Sequence, residues 1–140
     1  MRLWHKDLIP VLPRQQLVAQ WRECCLIAKN IKEKGTPNHI LVNKVMDYPI
    51  EEFFTYGYGV FQEMYKRGYH PQWEKFVKYF DASTMDVNRV KGNYFKEWHN
   101  NRYLSQCFHN LQEKYDCGGI PEDEWNQINY FYFIFLITGK

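Results

Sequence analysis

The sequence predicts an all-helical protein, with three long helices, one or two short ones, and an N-terminal arm packed near the first helix. Two observations predict this class. Apolar residues recur at intervals of three and four along most of the chain, which is the period of an amphipathic helix. No segment alternates polar and apolar residues for long enough to predict a strand. At 140 residues the chain is long enough for one core, so we expect residues 1–140 to form a single domain.

The first long helix is predicted to run from about Pro13 to Lys34, because Gly35 and Pro37 then interrupt it. Its polar residues Gln16, Gln20 and Glu23 recur at helical spacing and are expected to share a solvent-facing side. The apolar side opposite is formed by Leu17, Val18, Trp21, Cys25 and Ala28. On this pattern alone, a solvated Glu23 beside a solvated Arg22 is the more common interpretation, and a catalytic pair is the rarer one.

The second long helix is predicted to begin near Pro49, since proline suits a first helical turn, and to end at Lys66-Arg67-Gly68. Gly57 and Gly59 lie inside it. They either weaken the helix or mark a place where another backbone packs closely. The segment 38–47 before it fits either a short extended piece or an irregular loop.

The second half of the chain is predicted to contain a short helix, a long helix and a final helix. Apolar residues at helical spacing place the short helix within residues 71–81. A polar loop at 81–93 follows and offers Arg89 and Lys91 to a ligand. The long helix is predicted at about 95–115, and Pro121, followed by three acidic residues, starts another helix.

Composition narrows the classes of function. The net charge of +2 permits a local patch for nucleic acid without requiring one. The four cysteines and five histidines have no metal-binding spacing, so we expect no metal, no cofactor and reduced thiols in a cytoplasmic protein. The apolar segment 128–137 is too short to span a bilayer. We therefore expect no membrane association and a buried closing segment, which would be an aggregation hazard or a partner surface if it were exposed.

The first 25 residues, MRLWHKDLIPVLPRQQLVAQWRECC, resemble the N-terminal segment of the pyrimidine-dimer DNA glycosylase family, the endonuclease V-type repair enzymes. In that family a short arm leads into a helix of the form L-x-x-Q-x-L-x-A-x-[aromatic]-R-E. The matching residues here are Leu12, Gln15, Leu17, Ala19, Trp21, Arg22 and Glu23. Looser similarity in FQEMYKRGYHP and HNNRYLSQCFHNLQEK extends the resemblance over most of the chain.

The resemblance implies excision of damaged pyrimidines from double-stranded DNA through a Schiff base on the N-terminal amine, followed by strand cleavage. Because Arg2 is too large for methionine removal, the implied nucleophile is the amine of Met1, and Glu23 is the matching carboxylate. An α-amine keeps a substantial neutral fraction near neutral pH, as a nucleophile requires. The implied contacts to DNA are Arg2, Arg14, Arg22, Trp21, His39 and His99.

Two departures from the family pattern keep other functions open. Viral members carry a further arginine where this chain has Leu26, and their basic C-terminal tail is replaced here by an acidic and then apolar segment. The alternative is a nucleic-acid- or nucleotide-binding protein of the same fold, with a different substrate or no catalysis. A third possibility is a protein-interaction module that uses the aromatic C-terminal segment. No protein partner is indicated.

Overall fold

The computed structural model describes residues 1–90 and 92–139, and the described residues contain helices but no strand. The all-helical class is confirmed. Lys91 and the side chain of Arg89, which the sequence offers to a ligand, lie outside the described residues. The helices described are α1 Arg14–Lys34, α2 Ile50–Lys66, α3 Glu74–Val77, α4 Val87–Val90, α5 Asn101–Asp116 and α6 Glu122–Thr138, with 3₁₀ helices at Lys6–Val11, Asn43–Asp47 and Ala82–Thr84.

Helix α1 begins and ends close to the predicted residues. Pro13 precedes its first turn, and Gly35 ends it in the left-handed conformation with φ 75°. In this conformation the Gly35 N–H donates to the Ile31 carbonyl oxygen at 2.9 Å. Glycine adopts a positive φ without the steric cost that a Cβ imposes, so the sequence signal and the backbone agree here.

Helix α2 also has the predicted limits, and Gly57 has a packing reason. A Cβ built on Gly57 would lie 2.3 Å from Cζ of Phe76, a residue of α3. The close approach predicted at this glycine is therefore made by an aromatic side chain and not by a backbone. The Phe76 ring is fully buried and fixes α3 against the middle of α2. At Gly59 the nearest atom is 3.8 Å away, so that position is free of this constraint.

The predicted start of one helix and the predicted conformation of one loop are wrong. The long helix expected from residue 95 begins only at Asn101, because Phe95 has a φ of 54° and Asn100 caps the helix. The Asn100 side-chain oxygen accepts the Tyr103 N–H at 2.9 Å, which satisfies one of the free donors of the first turn. The segment 38–47 is neither a strand nor wholly irregular, since Asn43–Asp47 forms a 3₁₀ helix.

The helices form two packed groups joined by the N-terminal arm. Helix α2 packs on α1 and α4, and α5 packs on α6. The 3₁₀ helix Lys6–Val11 contacts both α2 and α6. The backbone N–H of Arg14 donates to a carboxylate oxygen of Glu124, which ties the start of α1 to α6. These contacts place the first residues of the chain at the junction between the two groups.

Helix α6 is as long as α2, at 17 residues, so the structure has four long helices where the sequence predicts three. It buries one apolar side, formed by Trp125, Ile128, Tyr132 and Phe135. Its other side is also apolar and exposed, with Tyr130, Phe133, Ile134, Leu136 and Ile137. The prediction of a buried closing segment is therefore wrong for half of the helix. Among the described residues, none of the helices has the length and hydrophobicity needed to cross a bilayer.

Candidate active site

The N-terminal arm, residues 1–12, is fixed in place by buried contacts. Leu3 is fully buried and Trp4 nearly so. The Tyr103 hydroxyl, on α5, donates to the Leu3 carbonyl oxygen at 2.6 Å. The Arg2 guanidinium lies over the Trp4 ring, 5.3 Å from its centroid. Burial of apolar side chains and a long-range hydrogen bond therefore fix the position of the arm as far as Arg2.

Gln20 connects this arm to α1, and its position corrects a prediction. Instead of facing solvent with Gln16 and Glu23, Gln20 is fully buried. Its Oε1 accepts the Trp4 N–H at 2.8 Å, and its Nε2 donates to the Arg2 carbonyl oxygen at 3.0 Å. The pairing resembles that between two strands, with a side-chain amide in place of the second backbone. Helical periodicity places Gln20 on the polar side of α1. It carries no information about the backbone groups of the arm, which need hydrogen-bond partners.

The remaining polar atoms of Gln20 are also bonded. Its Nε2 donates to Oε2 of Glu23 at 3.1 Å. The Tyr56 hydroxyl lies 2.8 Å from Oε1 of Gln20 and 2.6 Å from the Trp4 carbonyl oxygen, so its one proton serves these two acceptors. Only one orientation of the amide satisfies both backbone groups of the arm, and that orientation aims the second N–H at Glu23.

Behind the arm, two stacked histidines are neutral. The ring centroids of His5 and His99 lie 5.1 Å apart. His99 Nδ1 accepts the Lys6 N–H at 2.9 Å, so its proton sits on Nε2, which is buried and has no hydrogen-bond partner among the described residues. Burial is the main cause that lowers the pKa of His99 to about 2, and the positive charges that His5 and Lys6 can carry act in the same direction. This imidazole is a structural acceptor for the arm.

Arg67 fixes the far end of the arm. Its guanidinium donates to the Leu12 carbonyl oxygen at 2.8 Å and to that of Pro10 at 3.2 Å. Its Nε pairs with Oε2 of Glu63, one turn earlier on α2, at 2.8 Å. These bonds satisfy carbonyl groups at the end of the 3₁₀ helix Lys6–Val11. The arm is thus bonded near both ends.

A cavity of about 700 Å³ opens where the arm meets α1. Its walls bring together five of the predicted site residues: Met1, Arg2, Arg14, Arg22 and Glu23. Lys114 of α5 adds a further cation. Four cationic side chains and the N-terminal amine therefore surround one carboxylate, although the whole chain carries a net charge of only +2. Such a cavity favours an anionic ligand.

Burial and nearby positive charges act in opposite directions on the pKa of Glu23. Burial raises the pKa of its carboxyl above the usual value, and this effect exceeds the opposing ones. The charge of the N-terminal ammonium, the Arg2 backbone N–H, and the charges of His39 and Arg22 each lower the pKa. Burial thus favours the protonated form of this half-buried carboxyl, and the neighbouring positive charges favour the ionised form.

The other predicted site residues lie elsewhere. Trp21 is buried among the aromatic rings of α2 and α3, with its ring 5.7 Å from that of Phe76. His99 is buried behind the arm. His39 is half-buried in the loop after α1, near enough to influence Glu23 electrostatically, but it does not line the cavity.

The lining residues that the sequence does not predict as site residues include Gln16, Asn110 and Lys114. Asn110 and Lys114 are four residues apart on α5 and so face the same way. Nothing in the sequence brings this side of α5 to the first residues of the chain. Gln16 is part of the motif helix, and its Oε1 is buried without a hydrogen-bond partner among the described residues.

Comparison with known proteins identifies the family of the chain. A family model described as pyrimidine dimer DNA glycosylase matches residues 1–77, which is more than half of the chain. The chain belongs to this family. The family match includes the arm, all of α1 and α2, and α3, so it covers Met1, Arg2, Gln20 and Glu23. No curated protein and no solved structure matches the chain.

The part of the chain beyond the match to the pyrimidine dimer DNA glycosylase family still contributes to the cavity. Asn110 and Lys114 of α5 line it, and Tyr103 holds the arm. Among the described residues, no group of three or more His, Cys, Asp or Glu side chains could hold a metal ion. The described cysteines are all free thiols. The polar chemistry of the cavity thus comes from its amine, carboxylate, amides and cations.

Proposed function

We propose that the protein is a DNA repair glycosylase with AP-lyase activity, which removes damaged pyrimidines from double-stranded DNA. The nucleophile is the α-amine of Met1, and Glu23 handles the protons. One observation carries the proposal: a single cation-lined cavity collects Met1, Arg2, Arg22 and the half-buried Glu23. The identity of the family supports the reaction class.

The chemistry needs only an amine and a carboxyl group. The neutral amine of Met1 attacks C1′ of the damaged nucleotide, and the glycosidic bond breaks with its electron pair leaving on the base. The ammonium formed on Met1 loses one proton, and the departing base takes one up. The sugar ring then opens as O4′ takes a proton, which leaves an iminium bond between C1′ and Met1. Loss of a proton from C2′ and departure of the 3′ phosphate break the strand. Water then hydrolyses the iminium and returns the amine.

Glu23 is suited to the proton transfers in this sequence. A carboxyl group whose pKa is raised by burial can deliver a proton to O4′ and, once ionised, can take one from C2′. As a carboxylate it also stabilises the cationic sugar. The bond from Gln20 at 3.1 Å fixes the orientation of its Oε2.

The cations bind the DNA backbone in this proposal. The guanidinium groups of Arg2, Arg14 and Arg22 offer bidentate donors to phosphates, and Lys114 offers a point charge. His39 lies outside the cavity but close enough to lower the pKa of Glu23. Trp21 and His99 act through the fold, because both are buried away from the cavity. The proposal also keeps residues 1–140 as one domain, since α5 contributes to the cavity.

Borohydride trapping tests the proposal. The protein, with its mass checked to confirm that Met1 is the first residue, is incubated with DNA that carries an abasic site or a pyrimidine dimer. We expect a covalent adduct on the Met1 amine, no adduct after that amine is blocked, and little turnover by Glu23→Gln. Failure of the wild-type protein to form an adduct with either DNA would overturn the proposal. Tight binding without cleavage would indicate the alternative, a binding protein of the same fold.

A further inference from the structure

The loop between α1 and the 3₁₀ helix Asn43–Asp47 exposes two adjacent aliphatic side chains. Ile40 is 85 % exposed and Leu41 is 50 % exposed. Single exposed apolar residues are normal on protein surfaces. Two in succession at the tip of a connecting loop, beside a cavity lined with charges, are a more specific feature.

The turn that carries these side chains is internally bonded. The His39 carbonyl oxygen accepts the N–H groups of Val42 and Asn43, at 2.9 and 2.8 Å. The Asn43 side-chain oxygen accepts the His39 N–H at 3.0 Å, and His39 Nδ1 accepts the Leu41 N–H at 3.3 Å. Val42 is fully buried and anchors the turn to the core. Ile40 and Leu41 are therefore presented by a preorganised turn.

The tip stands between two cavities. Leu41 and Arg2 line both the cavity of the candidate active site and a second cavity of about 520 Å³. Ile40 lines only the second. Besides Arg2, the second cavity has two further cations, Lys44 and Arg102, and one carboxylate, that of Glu97. Cationic groups thus lie on both sides of an apolar tip.

This arrangement matches the charge pattern of duplex DNA, in which anionic backbones flank an apolar base stack. We propose that Ile40 and Leu41 form a wedge that enters the base stack beside the lesion. This inference rests on the proposed function, which supplies DNA as the ligand. Lys44 and Arg102 bind phosphates on one side, and Arg2, Arg14 and Arg22 bind them on the other. Apolar wedges of this kind unstack a base step and kink the duplex.

The wedge is tested apart from the chemistry with a DNA that cannot be cleaved. The probe is a duplex that carries a tetrahydrofuran abasic analogue opposite 2-aminopurine, whose fluorescence rises when it is unstacked. At saturating wild-type protein we expect the fluorescence to rise. We expect the double variant Ile40→Ser/Leu41→Ser to lose most of this rise. Its cleavage of duplex abasic DNA should fall about tenfold or more, since unstacking a step costs a few kcal/mol.

Two further variants serve as controls. Met46→Ser removes another exposed apolar side chain, 45 % exposed, from a position that lines neither cavity, and it should behave as wild type. Ile40→Leu/Leu41→Ile keeps the apolar volume and should retain the fluorescence rise. The wedge is overturned if the serine variant matches the wild type, or if bound wild-type protein leaves the fluorescence unchanged. Wild-type unstacking without trapping would instead refute the proposed reaction and keep the wedge.

Discussion

Nε2 of Gln20 lies 3.1 Å from Oε2 of Glu23, and the same nitrogen lies 3.0 Å from the carbonyl oxygen of Arg2. One buried amide therefore holds both the arm that carries the N-terminal amine and the carboxyl group of the cavity. We expect Gln20→Leu to lower the free energy of unfolding by about 1–3 kcal/mol, because it leaves buried partners of the amide unbonded. Urea denaturation measures this.

The matched control for Gln20 is Gln15→Leu, the same chemical change at an exposed position of the same helix. Its effect on unfolding should stay within about 0.5 kcal/mol. Equal losses in the two variants would contradict the role given to Gln20. Wild-type trapping efficiency in Gln20→Leu would show that the arm keeps its place without the amide.

The substitution Glu23→Gln should raise the stability of the protein at pH 7 and lower its turnover. The raised pKa means that folded Glu23 holds its proton more tightly than unfolded Glu23. Its stabilising contribution is therefore complete below the ordinary pKa of 4.5 and is lost as the pH rises through the higher folded value. Since glutamine cannot ionise, the variant should melt above the wild type at pH 7, and this difference should shrink towards pH 4. Turnover should fall by about 10²–10⁴-fold.

Thermal melts of the two proteins across this pH range provide the check. The matched control is Glu33→Gln, the same change at an exposed position near the end of the same helix. A Glu23→Gln variant that melts below the wild type at pH 7 would contradict the dominance of burial over the surrounding positive charges.

His99 should make the protein sensitive to acid. Its pKa is lowered from 6.5 to about 2, so below pH 6.5 the unfolded chain binds a proton that the folded chain excludes. Stability is complete above pH 6.5 and is lost as the pH falls, at up to about 1.4 kcal/mol for each pH unit. We expect His99→Gln, which cannot titrate, to flatten this dependence between pH 6 and pH 4.

Chemical denaturation at several pH values measures the slope for His99, and His70→Gln, on the exposed surface, is the matched control. The lowered pKa of His5 acts in the same direction. An unchanged slope in His99→Gln would therefore assign the acid sensitivity to His5.

The two glycines of α2 should respond in opposite ways to alanine. Gly57→Ala places a Cβ 2.3 Å from the buried Phe76 ring and should cost about 1–3 kcal/mol of stability. Gly59→Ala meets nothing closer than 3.8 Å and should gain up to about 1 kcal/mol from helix propensity. The midpoints of urea denaturation measure both effects. Equal shifts of the midpoint in the two variants would contradict the packing of α3 on α2.

Arg22→Gln tests the phosphate contacts. If Arg22 neutralises one phosphate, its loss should weaken binding to undamaged and damaged duplexes alike and reduce the slope of log K against log salt by about 0.9. Fluorescence anisotropy at several salt concentrations measures this. Lys29→Gln removes an exposed cation from the same helix outside both cavities and should leave the slope unchanged.

Local signals predict the ends of elements well in this chain. Gly35 and Gly68 both have positive φ at the ends of long helices, and the sequence marks both. The start of α5 is predicted too early because the apolar residue Phe95 continues the helical pattern across a backbone that turns with φ 54°. Periodicity records which residues are apolar but not the conformation between them.

Local sequence signals likewise predict some residues of the candidate site and miss others. The motif and the first residues of the chain indicate Arg2, Arg22 and Glu23, and the structure brings them together in one cavity. The sequence pattern assigns Gln20 to the solvent-facing side of α1. Its hydrogen-bond partners belong to the arm, whose residues show no helical periodicity that would indicate them. Lys114 lines the cavity only because α5 packs near the arm. These two segments lie about a hundred residues apart in the sequence.

The path of the arm has a consequence for how the protein is made. His5 bonds to a residue 94 positions later, and Leu3 to one 100 positions later. On the ribosome the first residues therefore emerge long before Tyr103 and His99 exist to hold them. The cavity is completed only when most of the chain has been synthesised, although Met1 and Arg2, which line it, are made first. A nascent chain that does not yet contain His99 and Tyr103 therefore lacks the bonds that hold the arm beside the cavity.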